Sequence, residues 1–149
     1  MANFSIKYAV SATPIEELIG TDTDNTRRII HSSIDKTFGG GGTVLCSTTA
    51  TNVKYIDYLT TVTATHTLAT AGLVDGIDFL MIKIREAGAS GTPDVQLRTA
   101  TGDYNISTLS GVGDVILLKT AGWTVANYEL FSSDATTLAK LDILYGITP

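Results

Sequence analysis

The chain has 149 residues, 44% of them hydrophobic and 17% charged, and a formal net charge of −5. A chain of this length buries about two-thirds of its unfolded surface, so it forms a core without staples, and this apolar content excludes an intrinsically disordered protein. The acidic balance argues against a nucleic-acid partner, because such binding draws on Lys and Arg releasing counterions from phosphates.

The 24 threonines suit pleated strands better than helices, and the 14 glycines supply the turns between them. At the start, Phe4, Ile6, Tyr8 and Val10 alternate with Asn3, Ser5, Lys7 and Ala9, which predicts a strand with one apolar face. Thr13 as cap, Pro14 at the first helical position and Glu16 predict a single helical turn ending by Gly20. Residues 21–26 read as a turn and Arg27–Lys36 as either a strand or a short helix, with the strand preferred, and the Arg27-Arg28 doublet as a solvated or subunit-contacting pair. The tetraglycine Gly39–Gly42 reads as a hinge, which makes residues 1–42 an N-terminal strand, arm and glycine-rich extension, mobile or docked on a partner, ahead of a β-sandwich domain over 43–149. Strands are expected at Thr43–Thr48, Val53–Ala64, Ile77–Glu86, Val95–Thr99, Tyr104–Leu109, Asp114–Lys119, Tyr128–Ser132 and Thr137–Gly146. Eight short strands with turn residues between them give an all-β fold, an antiparallel, jelly-roll-like sandwich. In the last strand Ala139, Leu141, Ile143, Tyr145 and Ile147 form an apolar face opposite a mixed face of Leu138, Lys140, Asp142 and Leu144.

The residues offer little recognisable chemistry, and an enzyme is not expected. Gly88-Ala89-Ser90-Gly91 has its second glycine one place too early for a nucleophile elbow, and Leu109-Ser110-Gly111-Val112-Gly113 lacks the leading glycine. The tetraglycine lacks the Lys and Ser/Thr of a phosphate loop. Cys46 with His31 or His66 could in principle form a thiolate–imidazole pair, but Cys46 lies between Leu45 and Ser47 in an apolar strand, where a buried small hydrophobe is the plainer reading. These three residues match no zinc spacing, so no metal or cofactor is expected. Asp22 and Asp24 are hard oxygen ligands that could hold calcium, yet Arg27 and Ser33 stand where an EF-hand needs Gly and Glu. Asp75-Gly76 and Gly102-Asp103 read as turns. Glu86, Glu129, Asp57 and Asp114 show no spacing that would nominate an acid–base pair. The lone cysteine and the absence of a leader pattern imply synthesis in a reducing cytoplasm, and no run approaches the roughly 18 apolar residues of a membrane span.

The phrases Gly76–Lys83, Ile106–Leu109, Gly113–Leu118 and the closing Leu138–Ile147 strand resemble small β-sandwich virion proteins of tailed bacteriophages, both capsid decoration (cement) proteins and tail components. That resemblance implies a structural virion protein, made in the host cytoplasm, that assembles with itself, often as trimers, and stabilises the lattice of the major capsid protein. It carries no functional residues across. The alternative is a carbohydrate- or receptor-binding module, in which Trp123, Tyr128 and Tyr104 form a stacking platform for sugar rings.

Overall fold

The computed structural model describes residues 4–12, 15–19, 26–30, 38–46, 53–59, 66–87, 94–132 and 139–149. The chain divides into two compact units, one made of residues 1–6 and 44–149, the other of residues 7–43. The strands are β1 (Phe4–Ala12), β2 (Ile15–Ile19), β3 (Thr26–Ile30), β4 (Phe38–Cys46), β5 (Val53–Leu59), β6 (His66–Thr67), β7 (Ile77–Ala87), β8 (Val95–Thr99), β9 (Asn105–Leu109), β10 (Val115–Trp123), β11 (Tyr128–Ser132) and β12 (Ala139–Gly146). A 3-10 turn, Val125–Asn127, joins β10 to β11.

The last eight strands form two four-stranded antiparallel sheets, in the orders β10-β7-β12-β5 and β6-β11-β8-β9. Among these eight the first therefore pairs with the last, the second with the seventh, the third with the sixth and the fourth with the fifth. A long hairpin folded over on itself gives this pairing, and it is the jelly-roll topology.

Period-two alternation places the core between the sheets. Leu80, Ile82 and Ile84 of β7 and Ala139, Leu141, Ile143 and Tyr145 of β12 point inward and are fully buried. They belong to one cluster with Val95 and Leu97 of β8, Leu109 of β9 and Leu130 of β11. Leu68, Leu73 and Val125 extend that cluster at the end of the sandwich where β6 runs into β7 and β10 into β11. The bounds of β8 and β11 coincide with the expected ones. β10 runs on to Trp123 past the expected Lys119, through a bulge where the pairing jumps from Lys119↔Phe79 to Trp123↔Ile77.

Two expectations for the first 46 residues are corrected. Ile15–Ile19 is not a helical turn but a strand, paired with β3 from Ile15↔Ile30 to Ile19↔Thr26. A single turn of helix is costly to nucleate, and the facing strand supplies the backbone partners instead; Thr13, Pro14 and Gly20 lie outside the described residues. The tetraglycine is not a hinge but lies within β4, which pairs with β1. Gly39 sits against Val10 and Ser11, and Gly41 against Tyr8 and Ala9, so the two strands run in opposite directions. A Cβ on Gly41 would lie 2.5 Å from the Tyr8 carbonyl oxygen, and one on Gly42 would lie 2.9 Å from the Tyr8 hydroxyl. These glycines serve close approach: the Tyr8 ring lies over Gly42 and covers backbone that has no side chain of its own.

Where the ends of β1 and β4 fall within the larger unit, Ile6, Val44 and Cys46 are buried apart from the main core. They meet the sandwich at Gly146, where a Cβ would stand 2.7 Å from Ile6 Cδ1 and 2.9 Å from Cys46 Sγ. Gly146→Ala should therefore overpack this contact and lower the unfolding free energy by about 1–3 kcal/mol, which chemical denaturation of variant and parent will measure.

Candidate interaction surfaces

Trp123 and Tyr128 do come together. Their rings stack with centroids 3.9 Å apart and planes 13° from parallel, and both pack on the main core. Each ring thus has one face taken by the other. Tyr104 is 73% exposed and stands off on the β8–β9 turn, where its backbone bonds to Thr99. Thr99 in turn is the register partner of Tyr128, so a strand position separates Tyr104 from the stack.

The carboxylates of Asp114, Asp75 and Glu86 are engaged in structure. Asp114 accepts from the Ser110 and Gly111 N–H groups at 2.9 Å and closes the β9–β10 turn. Asp75 accepts from Val125 N–H at 2.8 Å, and Glu86 meets Lys140 Nζ at 2.5 Å. Asp57 falls in β5 opposite Asp142. Ser90, His31, Asp22 and Asp24 lie outside the described residues. His66 is half-buried in β6, opposite Leu130. Among the described residues no three His, Cys, Asp or Glu side chains cluster as metal ligands would, and no helix is long and apolar enough to cross a membrane.

Cys46 is 4% exposed, and its thiol reaches Val44 O at 3.6 Å. Burial pushes its pKa up, a hydrogen bond from the Ile6 backbone pulls it down, and the nearby Asp78 charge adds to the rise. The thiolate is the reactive form. Native protein should accordingly react with a disulfide reagent more than about tenfold more slowly than the urea-unfolded chain, as a timed thiol assay will show.

Asp78 ties three segments together. Oδ1 accepts from Gly122 N–H at 3.0 Å in the β10 bulge, and Oδ2 accepts from both the backbone N–H and the hydroxyl of Thr148 at 2.9 and 2.5 Å. The Thr148 hydroxyl is the largest influence holding the Asp78 pKa below its usual value, with the two backbone donors adding to it against a smaller effect of burial. A depressed carboxyl pKa stabilises the fold above the unfolded value, about 4, and that contribution is lost as pH falls through the folded value. Asp78→Ala should cost about 1–2 kcal/mol near neutral pH, an amount discounted for partial exposure. The difference from the parent should shrink as pH drops below about 4, which denaturation at a series of pH values will test.

Two surfaces remain. The first is the ribbon of β1 and β4. Its two strands form a sheet of their own, so both outer edges are unpaired among the described residues. Lys7, Ala9–Ala12 and Gly39–Thr43 are exposed and Tyr8 is only half-buried. Tyr8, Val10 and Ala12 share one face and, with Gly39, Gly40 and Gly41 as a floor without side chains, line an open groove of about 450 Å³.

The second is the outer face of the sheet β6-β11-β8-β9. Here Glu129, 2% exposed, accepts at Oε1 from Arg98 Nε at 2.5 Å. The Arg98 guanidinium lies 3.7 Å over the Phe131 ring. The sequence signals neither residue as a partner of the other, because 31 positions separate them and only the β8–β11 register sets Glu129 opposite Arg98.

No protein-family model, curated protein or solved structure matches the chain. What stands established is its class, an antiparallel β-sandwich of jelly-roll topology carrying an N-terminal two-stranded ribbon.

Proposed function

We propose that this is a non-catalytic structural protein that assembles with itself through the ribbon, and that its place is on a virion, as a decoration protein bracing the lattice of the major capsid protein. One observation carries the reading: among the described residues, no side chain of residues 7–12 or 39–43 is buried. A two-stranded hairpin is marginal in water, and its open edges are templates for pairing with another chain. A surface of this kind is completed by a partner. Strands of nine residues, roughly 30 Å long at about 3.3 Å per residue, offer a long edge for one. On a lattice each copy need contribute only a modest contact, because tethering to its neighbours raises the effective concentration. Jelly rolls serve in viral capsids and in lectins alike, so the topology is compatible with this role without selecting it.

The antiparallel progression brings Ile6 beside Val44, so residues 7–43 can be replaced by an Asn-Gly turn that keeps the buried ends paired. Light scattering behind gel filtration should give an oligomer for the full chain and a folded monomer for the shortened one. With capsids, the full chain should sediment and the shortened chain stay in the supernatant. Equal masses and equal capsid binding would overturn the proposal.

A further inference from the structure

We propose that the outer face of the sheet β6-β11-β8-β9 binds a neutral saccharide, with the Arg98–Glu129 pair as its polar centre. The inference is independent of assembly through the ribbon. The Arg98 side chain is 19% exposed and neither residue has a buried polar atom without a partner, so any group of the pair that the fold leaves unbonded reaches solvent and is open to a ligand. Arg98 and Glu129 share a single hydrogen bond, through Nε and Oε1. Among the described residues the two terminal guanidinium nitrogens and the second carboxylate oxygen make no other. Those nitrogens are nonetheless held in place. The Phe131 ring lies against one side of the guanidinium. Gly102, at φ +77, lies close enough that a Cβ there would stand 3.8 Å from Arg98 Cζ. A fork fixed in this way loses little freedom when it binds.

Its neighbours extend the same chemistry. Asn105 is the register partner of Arg98 on the far side from Glu129, so Glu129, Arg98 and Asn105 form one row across three strands. Phe131, Gln96 and Thr108 form the next row. Asn105 donates to the Thr108 hydroxyl at 2.8 Å, which leaves its own Oδ1 as an acceptor. The half-buried Gln96 side-chain amide makes no hydrogen bond among the described residues. The face thus presents donors and acceptors side by side on planar groups.

Charge selects the ligand class. Arg98 and Glu129 cancel, and the chain carries a net −5, so the face has no surplus positive charge with which to hold a phosphate or carboxylate against Glu129. A vicinal diol fits both members: one hydroxyl oxygen accepts from a guanidinium nitrogen, and its neighbour donates to the free carboxylate oxygen. Hydrogen bonds to charged partners are the stronger kind and give such a contact its specificity. This locates sugar recognition away from the Trp123–Tyr128 stack, whose facing ring surfaces are used on each other.

The test uses the full chain, a broad array of glycans, and titrations with neutral methyl glycosides followed through the side-chain N–H signals of Arg98, Gln96 and Asn105. At least one glycan class should bind, and its glycoside should move those three signals together. Arg98→Lys, which keeps the charge and loses the fork, should weaken binding roughly tenfold or more. Gln96→Ala, which leaves the ion pair intact, should weaken it several-fold at an unchanged melting temperature, so the result does not depend on the Arg98 variant folding. Tyr104→Ala should leave binding as it was. An empty array with no signal movement, movement with inorganic phosphate but not with glycosides, or full binding by folded Gln96→Ala would each overturn the inference.

Discussion

β12 lies between β5 and β7 and exchanges backbone hydrogen bonds along both edges, from Lys140↔Leu59 to Gly146↔Val53 on one side and from Ala139↔Ala87 to Gly146↔Phe79 on the other. Its inward side chains, Ala139, Leu141, Ile143 and Tyr145, are all fully enclosed. A buried aliphatic or aromatic side chain contributes about 1.5–3 kcal/mol, so this strand brings together backbone pairing and apolar burial as the middle of a sheet requires. The features around it depend on its position. Gly146 receives Ile6 and Cys46, and Thr148, two residues later, gives Asp78 the donors that brace the β10 bulge.

The ribbon obeys different physics. In the sandwich β7, β8, β11 and β12 have a packed face, and period-two alternation decides which residues meet. In β1 and β4 it is the lack of side chains that allows the approach, with Gly41 beneath the Tyr8 carbonyl and Gly42 beneath the Tyr8 ring. Glycine in a strand costs conformational entropy and contributes no packing. Four in a row are tolerable where the facing strand comes this close. The polar outer face of the second sheet differs again, since its centre is a charge-balanced pair set by cross-strand register.

Legibility in the sequence followed the strength of local pattern. Val95–Thr99 and Tyr128–Ser132 are bounded by turn residues and alternate cleanly, and their limits were readable. His66–Thr67 is too short to carry any period, and only its pairing with Glu129 and Leu130 makes it a strand. Ile15–Ile19 carries a helix-start signature in Thr13, Pro14 and Glu16, which the pairing with β3 overrides. The tetraglycine matches the composition of a linker, and nothing local reveals that Tyr8 will lie across it. The Trp123–Tyr128 contact was suggested by closeness in sequence, but the mutual stacking was not, because it depends on the 3-10 turn between them. Arg98 and Glu129 were unreadable as a pair for a general reason: register between distant strands is a property of the closed fold.

Pairing the first sandwich strand with the eighth sets an order of events. Until residues 139–146 arrive, β5 has no neighbour and β7 lacks one of its two, although both are rich in the residues that favour strand pairing. Contacts between segments far apart in sequence close late and slowly. A nascent or truncated chain therefore presents two bare, apolar strand edges, the state most prone to joining the wrong chain. If the ribbon joins other chains by its edge, as proposed, the chain must, while it is being made, be kept from joining them by these two.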